Sequence, residues 1–193
     1  GGSGDDTFIA ANGDGADNID GGADTTADSI DYSAVTTGIS DGSTLAAITI
    51  SGTTDTIANI EDYTLTGQAD IIDLTAADLG SFDTLDAGTG SDRRDISGDI
   101  SAYTDEGTTF ENLFNDVEEI DLSSVSGDDG TFNISSSNID GITGNSTGSL
   151  TLDITGSAIA IGDLSITGSV TLNSDSGTSR NYTVDDNTLI VNY

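Results

Sequence analysis

The sequence predicts an all-β protein, and three observations carry that reading. Isoleucine outnumbers leucine by 21 to 12 and threonine is abundant, and β-branched residues favour strands over helices. Proline is absent, which suits a continuously hydrogen-bonded sheet, because proline cannot donate to a ladder. No stretch sustains the apolar repeat that a packed helix needs; short apolar alternations broken by glycine take its place.

The first element is a set of glycine-rich turns, each leading into a very short strand. Gly1-Gly2-Ser3-Gly4-Asp5-Asp6-Thr7-Phe8-Ile9 fits the nonapeptide G-G-x-G-x-D-x-U-x at every defined position, and Asn12 to Asp20 fits it with Asn in place of the first glycine. The third copy is looser: Gly21-Gly22 is followed by Asp24 where a glycine belongs, and two extra residues delay Asp28. A hard divalent cation such as calcium takes ~6–8 oxygen ligands, which aspartates and backbone carbonyls supply where the chain turns sharply. The candidate ligand turns are therefore Gly2, Gly4 and Asp6; Gly13, Gly15 and Asp17; and Gly22, Asp24 and Asp28. Asp6, Asp17 and Asp28 recur every 11 residues, so one ligand per turn of a coil predicts a single stacked ladder. The apolar residues Phe8, Ile19 and Ile30 point to the opposite side and form the core. An acidic flexible linker is the alternative, but linkers seldom keep a large apolar residue two places after each aspartate.

These repeats resemble the RTX (repeat-in-toxin) calcium-binding family, on the residues just quoted. The resemblance implies a right-handed parallel β-roll with calcium held between the turns. It also implies an extracellular or cell-surface location reached by type I secretion.

A second phrase occurs twice. Asn59-Ile60-Glu61-Asp62-Tyr63-Thr64-Leu65-Thr66 aligns with Asp116-Val117-Glu118-Glu119-Ile120-Asp121-Leu122-Ser123 in the pattern (N/D)-Φ-E-x-Φ-x-L-(T/S). It resembles a rung of bacterial surface-layer and large adhesin proteins that carry RTX repeats; an ordinary amphipathic strand is the alternative. Between the two copies, Ala87 to Asp92 recovers x-G-x-G-x-D, adding Gly88, Gly90 and Asp92 as candidate ligands. Arg94 then stands where the apolar core residue belongs. Arg93-Arg94 is read either as local neutralisation by Asp92 and Asp95 or as a docking contact for an acidic neighbour.

The chain divides at this stage into repeats over 1–34, an irregular β-solenoid over 35–129 and a regular one over 130–193. Residues 101–115 are the only plausible helix. In the last part Φ-T-G recurs at Ile142, Ile154 and Ile166, a period of 12, as a stacked solenoid requires; a β-sandwich following the roll is the alternative. The tail from Thr188 to Tyr193 reads as an exposed terminal strand open to another subunit. Because the text starts within a repeat, a fragment of a longer protein is expected. Sequons stand at Asn133, Asn145 and Asn181, a pattern that a Ser/Thr-rich chain also produces by chance.

Composition narrows the function. With 35 acidic against 3 basic residues and a formal net charge of −32, the chain repels itself, so counter-cations are expected to be a condition of folding. That charge argues against nucleic acid as a partner, and no run is apolar enough to insert in a membrane. With no cysteine, histidine or lysine, disulfides are excluded and acid–base catalysis is left to carboxylates, so no enzyme is expected. Two readings remain: a calcium-dependent structural protein that self-assembles into a surface layer, fibre or biofilm matrix, or a calcium-folded module that binds surface polysaccharide. The absence of an aromatic cluster or basic patch favours the first. An acidity that serves salt adaptation rather than ligation is a further alternative.

Overall fold

The computed structural model describes residues 1–23, 27–100, 116–127 and 132–193. The expected helix over 101–115 and the candidate ligand Asp24 lie outside the described residues. Strands make up 47% of the structure and helix 8%, with parallel and antiparallel pairing both present, so the all-β expectation holds. The chain forms two compact units, Gly1–Asp92 and Arg93–Tyr193.

The strands of the first unit are β1 (Thr7–Ile9), β2 (Asn18–Asp20), β3 (Ser29–Asp31), β4 (Ala47–Ile50), β5 (Thr53–Ala58), β6 (Asp62–Thr64), β7 (Ile71–Thr75) and β8 (Thr84–Asp86). β1, β3, β6 and β8 form one sheet in that order, each pair parallel. β2, β5 and β4 form another, with β2 parallel to β5 and β4 antiparallel to it. The first repeats thus send alternate strands to different sheets. Register stacks Phe8, Ile30, Tyr63 and Leu85 in one column. Ile30, Tyr63 and Leu85 are buried, because one three-residue strand cannot cover its own apolar side chain and each rung covers the next. The β4–β5 hairpin turns on Ser51 and Gly52, both at positive φ, the two-residue geometry that matches strand twist.

The second unit contains β9 (Arg93–Asp99), β10 (Glu119–Gly127), β11 (Phe132–Ser135), α1 (Ser136–Thr143), β12 (Ser149–Asp153), β13 (Leu164–Thr167), β14 (Val170–Asp175), β15 (Ser179–Val184) and β16 (Asn187–Asn192). β9, β10, β12 and β16 run parallel as neighbours, and β15 and then β14 extend the sheet antiparallel. β11 and β13 form a separate parallel pair.

Three expectations are corrected here. The period of 12 does not mark equivalent rungs: Ile154 follows β12 and Ile166 lies in β13, but Ile142 lies in α1. Local signals explain the helix. Ser135 caps it, sharing reciprocal hydrogen bonds with Asn138, and Gly144 closes it at φ 61°, while Ile139 and Ile142 are buried three residues apart on one face. The terminal strand β16 is no open edge, since β12 and β15 flank it; the edge is β14. Finally, Arg94 is no docking contact. It is fully buried at the head of a column that continues through Ile120, Leu152 and Val191. Arg93 is neutralised locally, with two hydrogen bonds of 2.6 Å to the Asp95 carboxylate.

Candidate metal centre

The two copies of the (N/D)-Φ-E-x-Φ-x-L-(T/S) phrase adopt the same local structure. Asn59 and Asp116 both sit in the left-handed region, at φ 54° and 57°, which short polar side chains tolerate better than others. The apolar positions after them, Ile60, Tyr63 and Leu65 in one and Val117, Ile120 and Leu122 in the other, are all buried. The left-handed residue ends one segment and sets the glutamate two places later at the mouth of a strand.

In the first unit that glutamate joins a column. Register places Asp6, Asp28, Glu61 and Asp83 immediately before β1, β3, β6 and β8. Backbone amides knit the first three together: Gly2 N–H donates to Asp6 Oδ2 at 2.9 Å, Asp6 N–H to Asp28 Oδ1 at 2.6 Å, and Asp28 N–H to Glu61 Oε2 at 2.9 Å. Rungs of a sheet lie ~4.8 Å apart, so acidic positions on successive rungs repel by on the order of 1 kcal/mol per pair in water and more where burial lowers the dielectric. Asp28 is buried. The amide donors offset part of this cost, and a cation among the carboxylates offsets more.

Oxygen atoms crowd the glycines beside the column. A Cβ on Gly1 would collide with Asp6 Oδ2 and the Gly21 carbonyl oxygen, and one on Gly21 with Asp28 Oδ2 and the Asn59 carbonyl oxygen. Gly22, at φ 123°, pairs with Gly2 across the rung, where a Cβ would lie 2.5 Å from the Gly2 carbonyl oxygen. Each cradle is a carboxylate oxygen and a carbonyl oxygen facing space that only a glycine leaves open. This is the donor chemistry of a hard cation, with neither nitrogen nor sulfur. Gly2, Asp6, Gly22 and Asp28 are therefore brought together. Gly4 has φ 106° and open space around it.

The second repeat is elsewhere. Asp17 precedes β2, and its N–H donates at 2.9 Å to Asp55 Oδ1 in the other sheet. The ladder of one aspartate every 11 residues thus resolves into two, with Asp6 and Asp28 on one side and Asp17 on the other, because consecutive repeats feed alternate sheets. Gly13 and Gly15, at φ 77° and 99°, line a cavity of about 230 Å³ with Asp14, Tyr32 and Asp55. Tyr32 donates from its hydroxyl to Asp55 Oδ2 at 2.9 Å. Burial and that hydrogen bond push the Tyr32 hydroxyl far up, so it stays a proton donor.

The turn from Ala87 to Asp92 repeats the first pattern. A Cβ on Gly88, at φ 81°, would lie 2.5 Å from the Thr66 carbonyl oxygen, and one on Gly90 would collide with the Gln68 carbonyl oxygen and lie 2.9 Å from Asp92 Oδ1. Asp92 is buried and accepts from Asp70 N–H at 2.8 Å. Asp70 in turn is buried and accepts from Ile39 N–H at 2.6 Å, Thr66 N–H at 2.9 Å and the Thr66 hydroxyl at 2.8 Å. Sequence reasoning missed Asp55, Glu61 and Asp70. Only Glu61 left a trace, through the repeated phrase.

Asp41 and Asp73 also bring carboxylate oxygens within 4.8 Å of each other, close enough to take part in holding a metal ion. Among the described residues no helix is long and apolar enough to cross a membrane. Searches against family models, curated proteins and solved structures find no match for this chain.

Proposed function

We propose that this chain is an RTX-type, calcium-folded structural protein of the extracellular space, built as a parallel β-roll or solenoid, that assembles with copies of itself into a surface layer, fibre or matrix. The observation that carries this reading is the column of Asp6, Asp28, Glu61 and Asp83, flanked by glycine cradles in which carboxylate and carbonyl oxygens converge. Asp6 with the Gly21 carbonyl, Asp28 with the Asn59 carbonyl, and Asp92 with the Gln68 carbonyl would hold calcium. The cation supplies positive charge that a chain of net charge −32 otherwise lacks, and so turns self-repulsion into cohesion within and between subunits.

The alternative is a calcium-folded binding module of a larger secreted protein, directed at surface polysaccharide. The half-exposed Arg180–Tyr193 pair, with the guanidinium 5.3 Å from the ring centre, suits such a ligand. Electron microscopy of the purified chain tests the choice. Regular polymers in calcium that dissolve on chelation support the structural reading; a folded monomer at high concentration in calcium rejects it in favour of the module.

A further inference from the structure

The edge strand β14 is unlike the rest of this acidic surface. Between Leu164 and Val184 the only charged side chains are Asp175 and Arg180, and these neutralise each other at 2.9 Å. All six residues of β14 are exposed, and Val170 and Leu172, at 39% and 51%, are two of the three exposed large apolar side chains among the described residues. They alternate along the strand and so share one face.

Among the described residues the backbone edge is open in the same place. Asp185 N–H donates to the Ser169 carbonyl at 3.0 Å, one step before the register Val170 to Val184 and Thr171 to Thr183. Antiparallel pairs alternate between hydrogen-bonded and non-hydrogen-bonded, so Ser169 and Thr171 aim their backbone groups at β15. Val170 and Leu172 aim theirs outward. A bulge between Leu172 and Ser174, where Asn173 Nδ2 donates to Asn181 Oδ1 and Thr183 Oγ1 at 2.9 Å, ends the flat stretch. A bulge also limits how far an edge can be extended, so the available segment is short.

We propose that this segment docks on the same segment of a second copy, antiparallel, about a two-fold axis through Thr171. The proposal rests on the self-assembly reading above and gives it a contact. In that register Val170 of each copy faces Leu172 of the other, both backbone groups of each pair are satisfied, and both apolar side chains are covered. The occupant is a second copy because the edge is self-complementary and, beside the Asp185 carboxylate that accepts from Ser169 N–H at 3.1 Å, carries only the neutralised Asp175–Arg180 pair on a chain of net charge −32. The two Asp175 carboxylates fall about 27 Å apart at ~3.4 Å per residue, well beyond the ~8 Å screening length at physiological salt.

The chain has no cysteine, so Thr171→Cys introduces one thiol per copy. On the axis, the two Cα atoms are about 4.5 Å apart in a non-hydrogen-bonded pair, within disulfide reach. Under mild oxidation in calcium, Thr171→Cys should form a covalent dimer at least tenfold faster than Thr178→Cys in the nearby turn. Leu172→Pro removes an outward N–H and an exposed side chain, neither of which hydrogen-bonds to β15, so it should abolish the dimer in sedimentation while leaving the circular dichroism unchanged. Equal cross-linking at the two positions, or a dimer indifferent to Leu172→Pro, overturns the proposal. If calcium-dependent polymers form without Thr171 cross-linking, this contact alone is wrong; if the chain stays monomeric throughout, the assembly reading falls with it.

Discussion

Replacing Asp70 by alanine deletes an acceptor group on which at least three donors converge. The carboxylate takes Ile39 N–H, Thr66 N–H and the Thr66 hydroxyl, and no part of Asp70 is exposed. The hydroxyl can rotate to another acceptor, but the two amides are fixed by the backbone. Each buried donor left without an acceptor costs roughly 1–3 kcal/mol, so the substitution should destabilise by about 2–6 kcal/mol against a total stability on the order of 5–15 kcal/mol. For a chain of this size that lowers the melting midpoint by at least ~4 °C. Thermal unfolding followed by far-ultraviolet circular dichroism in excess calcium reads the shift directly. Asp31→Ala is the control: among the described residues its carboxylate accepts from Ser33 N–H at an exposed turn, so it should cost no more than about 0.5 kcal/mol. If the two variants melt together, buried carboxylates do not organise these turns as argued.

Other expectations follow from the same geometry. Gly88→Ala should cost about 2 kcal/mol or more in urea unfolding, because the φ of 81° penalises any Cβ and this one would meet the Thr66 carbonyl oxygen; Gly42→Ala, at φ 84° with open space around it, carries only the backbone cost of ~1 kcal/mol, and equal losses would count against the cradle. Calcium affinity measured by titration calorimetry should fall about tenfold or more for Asp28→Asn and much less for Asp17→Asn, since Asp28 is buried in a cradle and Asp17 is exposed; the reverse order would place the principal site in the other sheet. Desolvation holds the Glu119 carboxyl above its usual range, although Arg93 opposes the shift. A raised carboxyl adds stability only below its ordinary pKa and loses that contribution as pH rises through the folded value, so Glu119→Gln should raise the melting midpoint at pH 7 and leave it unchanged near pH 3.

The sequence was most legible where a local rule acted alone. Isoleucine, threonine and glycine placement predicted strands and turns, and the paired phrase at Asn59 and Asp116 marked two equivalent left-handed starts. Equal intervals of 11 conceal an alternation between two sheets, because spacing along the chain does not say which sheet a strand joins. The period of 12 failed at Ile142, where the Ser135 cap and Gly144 stop outweighed the Φ-T-G text. Arg94 shows the same limit from the other side: its neighbours in register, not its charge, decide that it points inward. Asp55 and Asp70 resemble any other surface aspartate in sequence, and only the fold reveals that backbone amides from distant turns converge on them.

If calcium enables this chain to fold, far-ultraviolet circular dichroism of exhaustively chelated protein, titrated with calcium and separately with magnesium, will follow the transition. The expected result is a disordered spectrum in chelator and a cooperative gain of β-sheet signal at millimolar calcium, with a much weaker response to magnesium, which sheds its water reluctantly and demands octahedral geometry. A full β-sheet spectrum in chelator, unchanged by either ion, would contradict it.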